Sequence, residues 1–257
     1  MIPFKKSLLI IGHPGHELRA FKFLKDHKPD VVIITDGSGS QHFSRIANSI
    51  KILDSLGSRC INLFHLFTDK EIYDFMLNAN ISAIGKIRDR ILNEVLTQGH
   101  DLLIGDALEG FNPTHDLCRY IINTVVKKAN LENVDYTIKN ISYKLDGVSS
   151  IKSNLLSNEY EFDLFLSEKE FNEKYTAALD YPELRFEVDK AILLYGKDAF
   201  MNEKYEVIDD TEMISNWNTP YPFYENYGKG KVLDGLYQQS IEFDKHMKPI
   251  AMALLNT

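Results

Sequence analysis

The chain has only two cysteines, Cys60 and Cys118. Two thiols cannot make the disulfide framework of a small secreted scaffold. Both stand among apolar neighbours, as buried free thiols do. No apolar run approaches the roughly 20 residues needed to span a bilayer. Near the N-terminus two lysines precede a short apolar run that ends at Gly12. That run is too short for the core of a signal peptide and reads as a first strand. Positive charge is scarce too, with 29 Lys and Arg against 37 Asp and Glu, a net charge of −8. A groove that tracks a phosphate backbone wants a basic surface, so nucleic acid is not an expected partner. The deficit describes the whole surface and leaves room for a local anion site. Internal repeats and low-complexity stretches are absent. These lacks set the expectation of a soluble cytoplasmic protein, either one large α/β domain or a core with an appendage.

What is present is an alternation of strand and helix signals. Residues 7–11 form an apolar run broken by Gly12-His13-Pro14-Gly15. Residues 17–27 follow with apolar positions at helical spacing. The β-branched run 30–35 ends in the turn signal Asp36-Gly37-Ser38-Gly39-Ser40. Residues 44–56 place Ile46, Ile50 and Leu53 on one helical face, and Gly57 suits a C-cap. Strands are predicted at 60–64, 101–105 and 136–142, and helices at 84–96 and 116–129. This order implies a Rossmann-like, mostly parallel sheet flanked by helices. Beyond Asp146 the pattern changes. Ser149, Ser150 and Ser153 mark a polar connection, a helix is predicted over 182–200, and 217–231 reads as irregular. A final helix is expected over 233–255, interrupted near Pro249. The expected division is a core of residues 1–149 and a mainly helical extension, 150–257, packed on it and forming one wall of the site.

In open parallel sheets ligands gather outside the carboxyl ends of the strands. That rule singles out the loops 12–16, 36–40 and 106–115. The first holds His13 and His16, three apart on a turn after a strand. Imidazole nitrogen ligates zinc and other first-row divalent ions. Taken alone, such a pair also reads as two solvated or hydrogen-bonded loop histidines. His115, at the end of the third loop, changes the balance, because three protein ligands and an open position make a catalytic metal site. His27, His42, His65 and His100 lack partner spacing and read as structural; His246, on the final helix, could enter the site from the extension but also reads as an ordinary surface or core histidine.

The segment His13-Pro14-Gly15-His16-Glu17 resembles the His-Pro-Asp-Asp-Glu signature of the LmbE-like, or PIG-L, de-N-acetylases. Asn112-Pro113-Thr114-His115 resembles their His-Pro-Asp-His motif. Thr35-Asp36-Gly37 and the Arg45-containing helix are similar as well, and the likeness spans residues 5–145. The resemblance implies a Rossmann-like sheet, zinc as the divalent metal, and removal of acetyl groups from amino sugars. It implies His13, His16 and His115 as ligands, with His16 where the family has Asp. Gly15 replaces the family's general base, Asn112 the His that opens the second motif, and Thr114 its Asp.

Exchanging a carboxylate ligand for imidazole leaves the site one positive charge richer. Zinc held by three histidines can lower the pKa of water to about 7, so a separate base becomes less necessary. Asn112 could present an N–H to a developing oxyanion. The nearest candidate acids or bases are Asp106 and Glu109, followed by Glu17 and Asp36; each also reads as an ordinary loop or helix N-terminal carboxylate. Asp36 and its Gly/Ser turn could form an anion nest. Arg45 could contact a sugar or a phosphate through its planar fork. The aromatics of 220–227 could offer a platform to a sugar face or cover the core. The expected function is a metal-dependent hydrolase that removes an acetyl group from an N-acetylated sugar or sugar conjugate. The alternatives are an ester deacylase or other small-molecule amidase, and a non-catalytic sugar-nucleotide-binding protein. Gly12 to Gly15 lacks the Gly-x-Gly-x-x-Gly spacing of a dinucleotide fold.

Overall fold

A computed structural model describes residues 3–39, 43–133, 135–145, 161–182, 184–208 and 222–257. The first strand, β1 (Ser7–Ile11), is an interior strand, third in the order of a seven-stranded sheet. On one side it pairs in parallel with β2 (Asp30–Ile33), which pairs with the short β3 (Arg59–Cys60). On the other side it pairs in parallel with β4 (Leu102–Asp106), followed by β5 (Lys139–Tyr143). Strand order therefore reverses between β1 and β4. That is the switch point at which two consecutive loops part and leave a crevice for a ligand.

All five residues of β1 are buried, because helices cover both faces. Side chains alternate across a strand, so Leu8 and Ile10 enter one core and Leu9 and Ile11 the other. The first core also takes α3 (Asp69–Leu77), α4 (Ile81–Gln98), α5 (Pro113–Glu132) and α9 (Lys248–Asn256). The second takes α1 (Phe21–His27) and Leu53 of α2 (Ile46–Leu56). Gly57 caps α2 at φ 76°, as its sequence position predicts. At Gly105 a Cβ would lie 2.2 Å from the Ile10 carbonyl oxygen and 2.4 Å from Ile122 Cδ1. Only glycine lets β4 sit this close to β1 and α5.

Several sequence expectations change. On α2 the buried residues are Ser49, Ile52 and Leu53, and Ile50 is exposed, so the face is rotated from the one its apolar spacing predicts. The strand expected over 60–64 stops at Cys60. Residues 223–231, expected to be irregular, belong to the helix α8 (Phe223–Leu233). Gly228 weakens helix propensity, but a Cβ there would lie 3.0 Å from Ser240 Cβ, so close packing favours glycine. The long final helix is instead a π turn at Phe243–Met247 running into α9. Pro249 sits in the first turn of α9, where its missing N–H costs no helical bond. The connection 146–160, with Ser149, Ser150 and Ser153, lies outside the described residues, as do Ser40 and His42.

The segment beyond residue 160 is mainly helical, with α6 (Glu168–Leu179) and α7 (Arg185–Met201) besides α8 and α9. It also adds two strands the sequence reading lacked. β7 (Asn202–Val207) pairs antiparallel with β5, and β6 (Glu161–Phe165) pairs antiparallel with β7. The architecture is thus α/β, a mostly parallel sheet flanked by helices. Among the described residues no helix is long and apolar enough to cross a membrane.

Candidate metal centre

His13 leaves the end of β1 with its ring buried. Its Nδ1 lies 2.7 Å from Thr35 Oγ1 and 3.1 Å from Asp69 Oδ1. The Thr35 hydroxyl donates to the Gly12 carbonyl, so toward His13 it accepts. Asp69 Oδ2 accepts the Gly39 amide at 2.7 Å. Burial pushes the Asp69 carboxyl up, but the hydrogen bonds from His13 and the Gly39 amide outweigh it and hold the group well below the usual range. Its place in the first turn of α3 adds to this. An ionised carboxylate can only accept. Nδ1 of His13 is therefore the donor to the carboxylate, and Nε2 is the nitrogen left to face a metal. That Nε2 is buried with no hydrogen-bond partner.

His16 is built the same way from another direction. Its Nδ1 lies 2.9 and 3.0 Å from the two Asp106 oxygens. Asp106 is fully buried at the end of β4, and its Oδ2 also accepts the Gly12 amide at 2.8 Å. A histidine whose far nitrogen is held by a carboxylate is the usual support for a metal ligand, because it fixes ring orientation and raises basicity. His115 stands in the first turn of α5 and is buried, with Nδ1 unpartnered. Burial, and then the charges of His16, His13 and Arg45, push its pKa well down, so at neutral pH the ring is the neutral imidazole that binds metals.

The three rings meet. Their centroids are 5.4 Å apart for His13 and His16, 5.2 Å for His13 and His115, and 4.4 Å for His16 and His115. Zn–N bonds of about 2.05 Å put ring centroids about 5 Å apart around a tetrahedral ion. Two of the separations match that and the third is tighter. Among the described residues no three His, Cys, Asp or Glu donors are already arranged around one ion position. The orphaned nitrogens and the carboxylate-backed rings nonetheless form a donor set that suits a first-row divalent ion.

The turn joining the first two histidines depends on Gly15 and Glu17, and on Ser49, Tyr181 and Leu184, which no sequence motif marks. Gly15 has φ 106°, and its amide donates to Glu17 Oε2 at 2.7 Å. The other oxygen of the buried Glu17 accepts Ser49 Oγ at 2.7 Å and Tyr181 Oη at 2.6 Å. A Cβ on Gly15 would lie 2.6 Å from Leu184 Cδ1. A side chain at position 15 would thus meet Leu184.

The remaining predicted residues cluster around the same edge. Asp36 Oδ1 accepts the Ser38 amide, and its carbonyl accepts the Arg45 amide. Arg45 Nε donates to the Gly37 carbonyl at 2.6 Å, and the Arg45 charge reaches His115. The Ser38 and Gly39 amides are engaged by Asp36 and Asp69, so the Gly/Ser turn does not turn them toward an anion. Asn112 caps α5, its Oδ1 accepting the Thr114 amide at 2.8 Å. Glu109 is buried, and its Oε1 accepts the Leu145 amide at 2.6 Å. Elsewhere, His100 is buried against Asp30, His27 packs on Phe4 and Phe23, His65 is exposed beside Glu71, and His246 Nδ1 accepts the Glu242 amide. A groove lined by Asn48, Ile52, Thr176 and Tyr181 contains none of the three clustered histidines.

No family model matches the chain, and no curated protein matches it in sequence. Solved structures do. One is the A40926 pseudoaglycone deacetylase Dbv21, with a TM-score of 0.50 and 16% identity over 79% of this chain and 97% of that one. Another is a deacetylase–bog complex from the teicoplanin biosynthesis pathway, with a TM-score of 0.50 and 13% identity over 79% and 97%. At these identities the likeness is one of fold, and the chain has the fold of these deacetylases.

Proposed function

We propose that this chain is a metal-dependent hydrolase that removes an acetyl group from an N-acetylated sugar or sugar conjugate. The observation that carries the reading is the convergence of three imidazoles at the strand-order switch point, two of them backed by buried carboxylates. His13, His16 and His115 would hold one divalent ion, zinc by the chemistry of three imidazole ligands. When bound, the ion would polarise the acyl oxygen and lower the pKa of water. Asn112, with its Oδ1 engaged in the cap, is proposed to turn its side-chain N–H toward the oxygen on which charge develops. Asp106 and Glu109 are the nearest carboxylates; Asp106 would act through His16 by fixing its tautomer, and Glu109 by fastening the loop 106–115. Arg45, held in place by Asp36 and Gly37, is proposed to receive the sugar or a phosphate it carries. The fold shared with solved deacetylases supports the reaction class, and the local resemblance to PIG-L signatures supports the sugar. In this reading residues 1–149 carry the ligands and 150–257 supply a wall of the site. The free thiols Cys60 and Cys118 fit a cytoplasmic setting.

The test is acetate release from N-acetylglucosamine glycosides by protein loaded with zinc, compared with His115→Ala. Release that depends on zinc and is lost in the variant is the expected result. Confirmed metal without acetate from any N-acetyl sugar would move the assignment to an ester substrate or to a non-catalytic binder.

A further inference from the structure

Phe111 belongs to the loop that ends in Asn112 and His115, and the preceding residue, Gly110, is held by both its amide and its carbonyl. The Gly110 amide donates to Asp116 Oδ1 at 3.1 Å, and the Gly110 carbonyl accepts the Tyr224 amide at 3.1 Å. The second bond fastens the start of α8 to the loop. As a result the Phe111 and Phe223 rings stack 5.2 Å apart and only 5° from parallel. Tyr227, one helical turn on, continues the row 5.8 Å from Phe223. The Lys231 ammonium lies 5.1 Å over the Tyr227 ring at the far end. The three aromatics remain 44, 45 and 48% exposed.

Single exposed apolar residues are ordinary, whereas a contiguous row marks a binding surface. This row begins four residues from His115, a chain reach of at most about 14 Å. Two of the three exposed rings are phenylalanines, which offer area and no hydrogen-bonding handle. Such faces favour hydrocarbon over a ring covered in hydroxyls.

We infer that Phe111, Phe223 and Tyr227 form a rigid shelf at the rim of the candidate centre that takes an apolar substituent on the sugar. The preferred ligand is then a glycoconjugate with a hydrocarbon aglycone, not a free sugar. The inference rests on the sugar-conjugate reading proposed above and names the part of the conjugate that is recognised.

The experiment compares binding of the methyl and phenyl β-glycosides of N-acetylglucosamine to zinc-loaded protein by calorimetry, with acetate release followed in parallel. The phenyl glycoside should bind about tenfold more tightly, the worth of partly burying one ring. The double variant Phe111→Ala/Phe223→Ala should lose that preference while zinc content and unfolding temperature stay at wild-type values. Phe111→Leu/Phe223→Leu, which keeps apolar area, should retain part of it. Equal binding of the two glycosides, undetectable binding of the phenyl glycoside, or a preference that survives in the alanine variant would overturn the shelf. A phenyl preference without acetate from either glycoside would sink the deacetylase reading and leave the shelf standing. Acetate from both glycosides with no preference would do the reverse.

Discussion

Gly15 carries the sharpest constraint at the scale of single residues. Its φ of 106° lies where a side chain is strained, and Leu184 fills the space a side chain would need. Gly15→Asp therefore should not restore a general base. Turnover on an acetylated sugar should fall or stay level, and thermal unfolding should come earlier. A gain of about a hundredfold, the size of a general-base contribution, would mean the space can open and the site was limited by a missing base. The carboxylates behind the histidines give a second residue-scale prediction. Asp69→Asn and Asp106→Asn should each weaken zinc binding by about 10- to 100-fold, as loss of such supports does, with little change in circular dichroism. Unchanged affinity in both would show that the two bonds hold the fold alone.

At the scale of elements, the helices of the extension are tied to the core by buried or half-buried charge. Glu203 of β7 accepts the Lys22 and Phe23 amides at the start of α1 and meets Lys174 of α6 at 3.2 Å, both side chains being 1% exposed. Glu170 of α6 closes a capping box with Ser167 and bonds Lys22 at 2.6 Å. The Lys22 bond, then the Ser167 amide, lower the Glu170 carboxyl from 4.5 to about 2. Lys22 is raised by the same bond, so the two directions agree. A depressed carboxyl adds stability that is complete above its unfolded pKa and is lost as the pH falls through its folded one. Glu170→Gln should thus be less stable than wild type by about 1 kcal/mol at pH 7, a modest figure because solvent screens the pair. The gap should close between about pH 4.5 and pH 2. A gap constant with pH in urea titrations would refute the pairing. Arg119 of α5 is fully buried and donates to the carbonyls of Gly105, Asp106 and Ile141 and to Asn140. It ties α5, which bears His115, to the end of β4 and the middle of β5. Arg119→Met should cost about 3–5 kcal/mol in chemical unfolding, because buried acceptors lose their donor. A cost below about 1 kcal/mol would mean water replaces it.

At the scale of the whole molecule, one sheet runs from β3 through β1 to β6, so the extension is bonded to the core through β5 and β7. Thermal unfolding of the full chain should therefore show one transition, and two well-separated ones would contradict it. The central strands and α2 were legible because apolar runs and a C-cap glycine are local signals. β6 and β7 were not, because strands of five and six residues with mixed polarity become strands through their neighbours. The site divides the same way. The three histidines announce themselves by residue type, whereas Asp69 is 56 positions from the ring it supports and only the fold joins them. Asp106 was visible in its loop, but its bond to His16 spans 90 positions. Tyr181 and Leu184 reach the turn from the extension and carry no motif. These long-range contacts gather the three imidazoles that are proposed to hold a metal. Elemental analysis of wild-type protein purified without chelator, beside His13→Ala, His16→Ala and His115→Ala, decides whether they do. One divalent ion per wild-type chain, lost from each variant that still folds, is the expected result. A metal-free wild type that stays empty when zinc is supplied, or variants that keep a full ion, would contradict it.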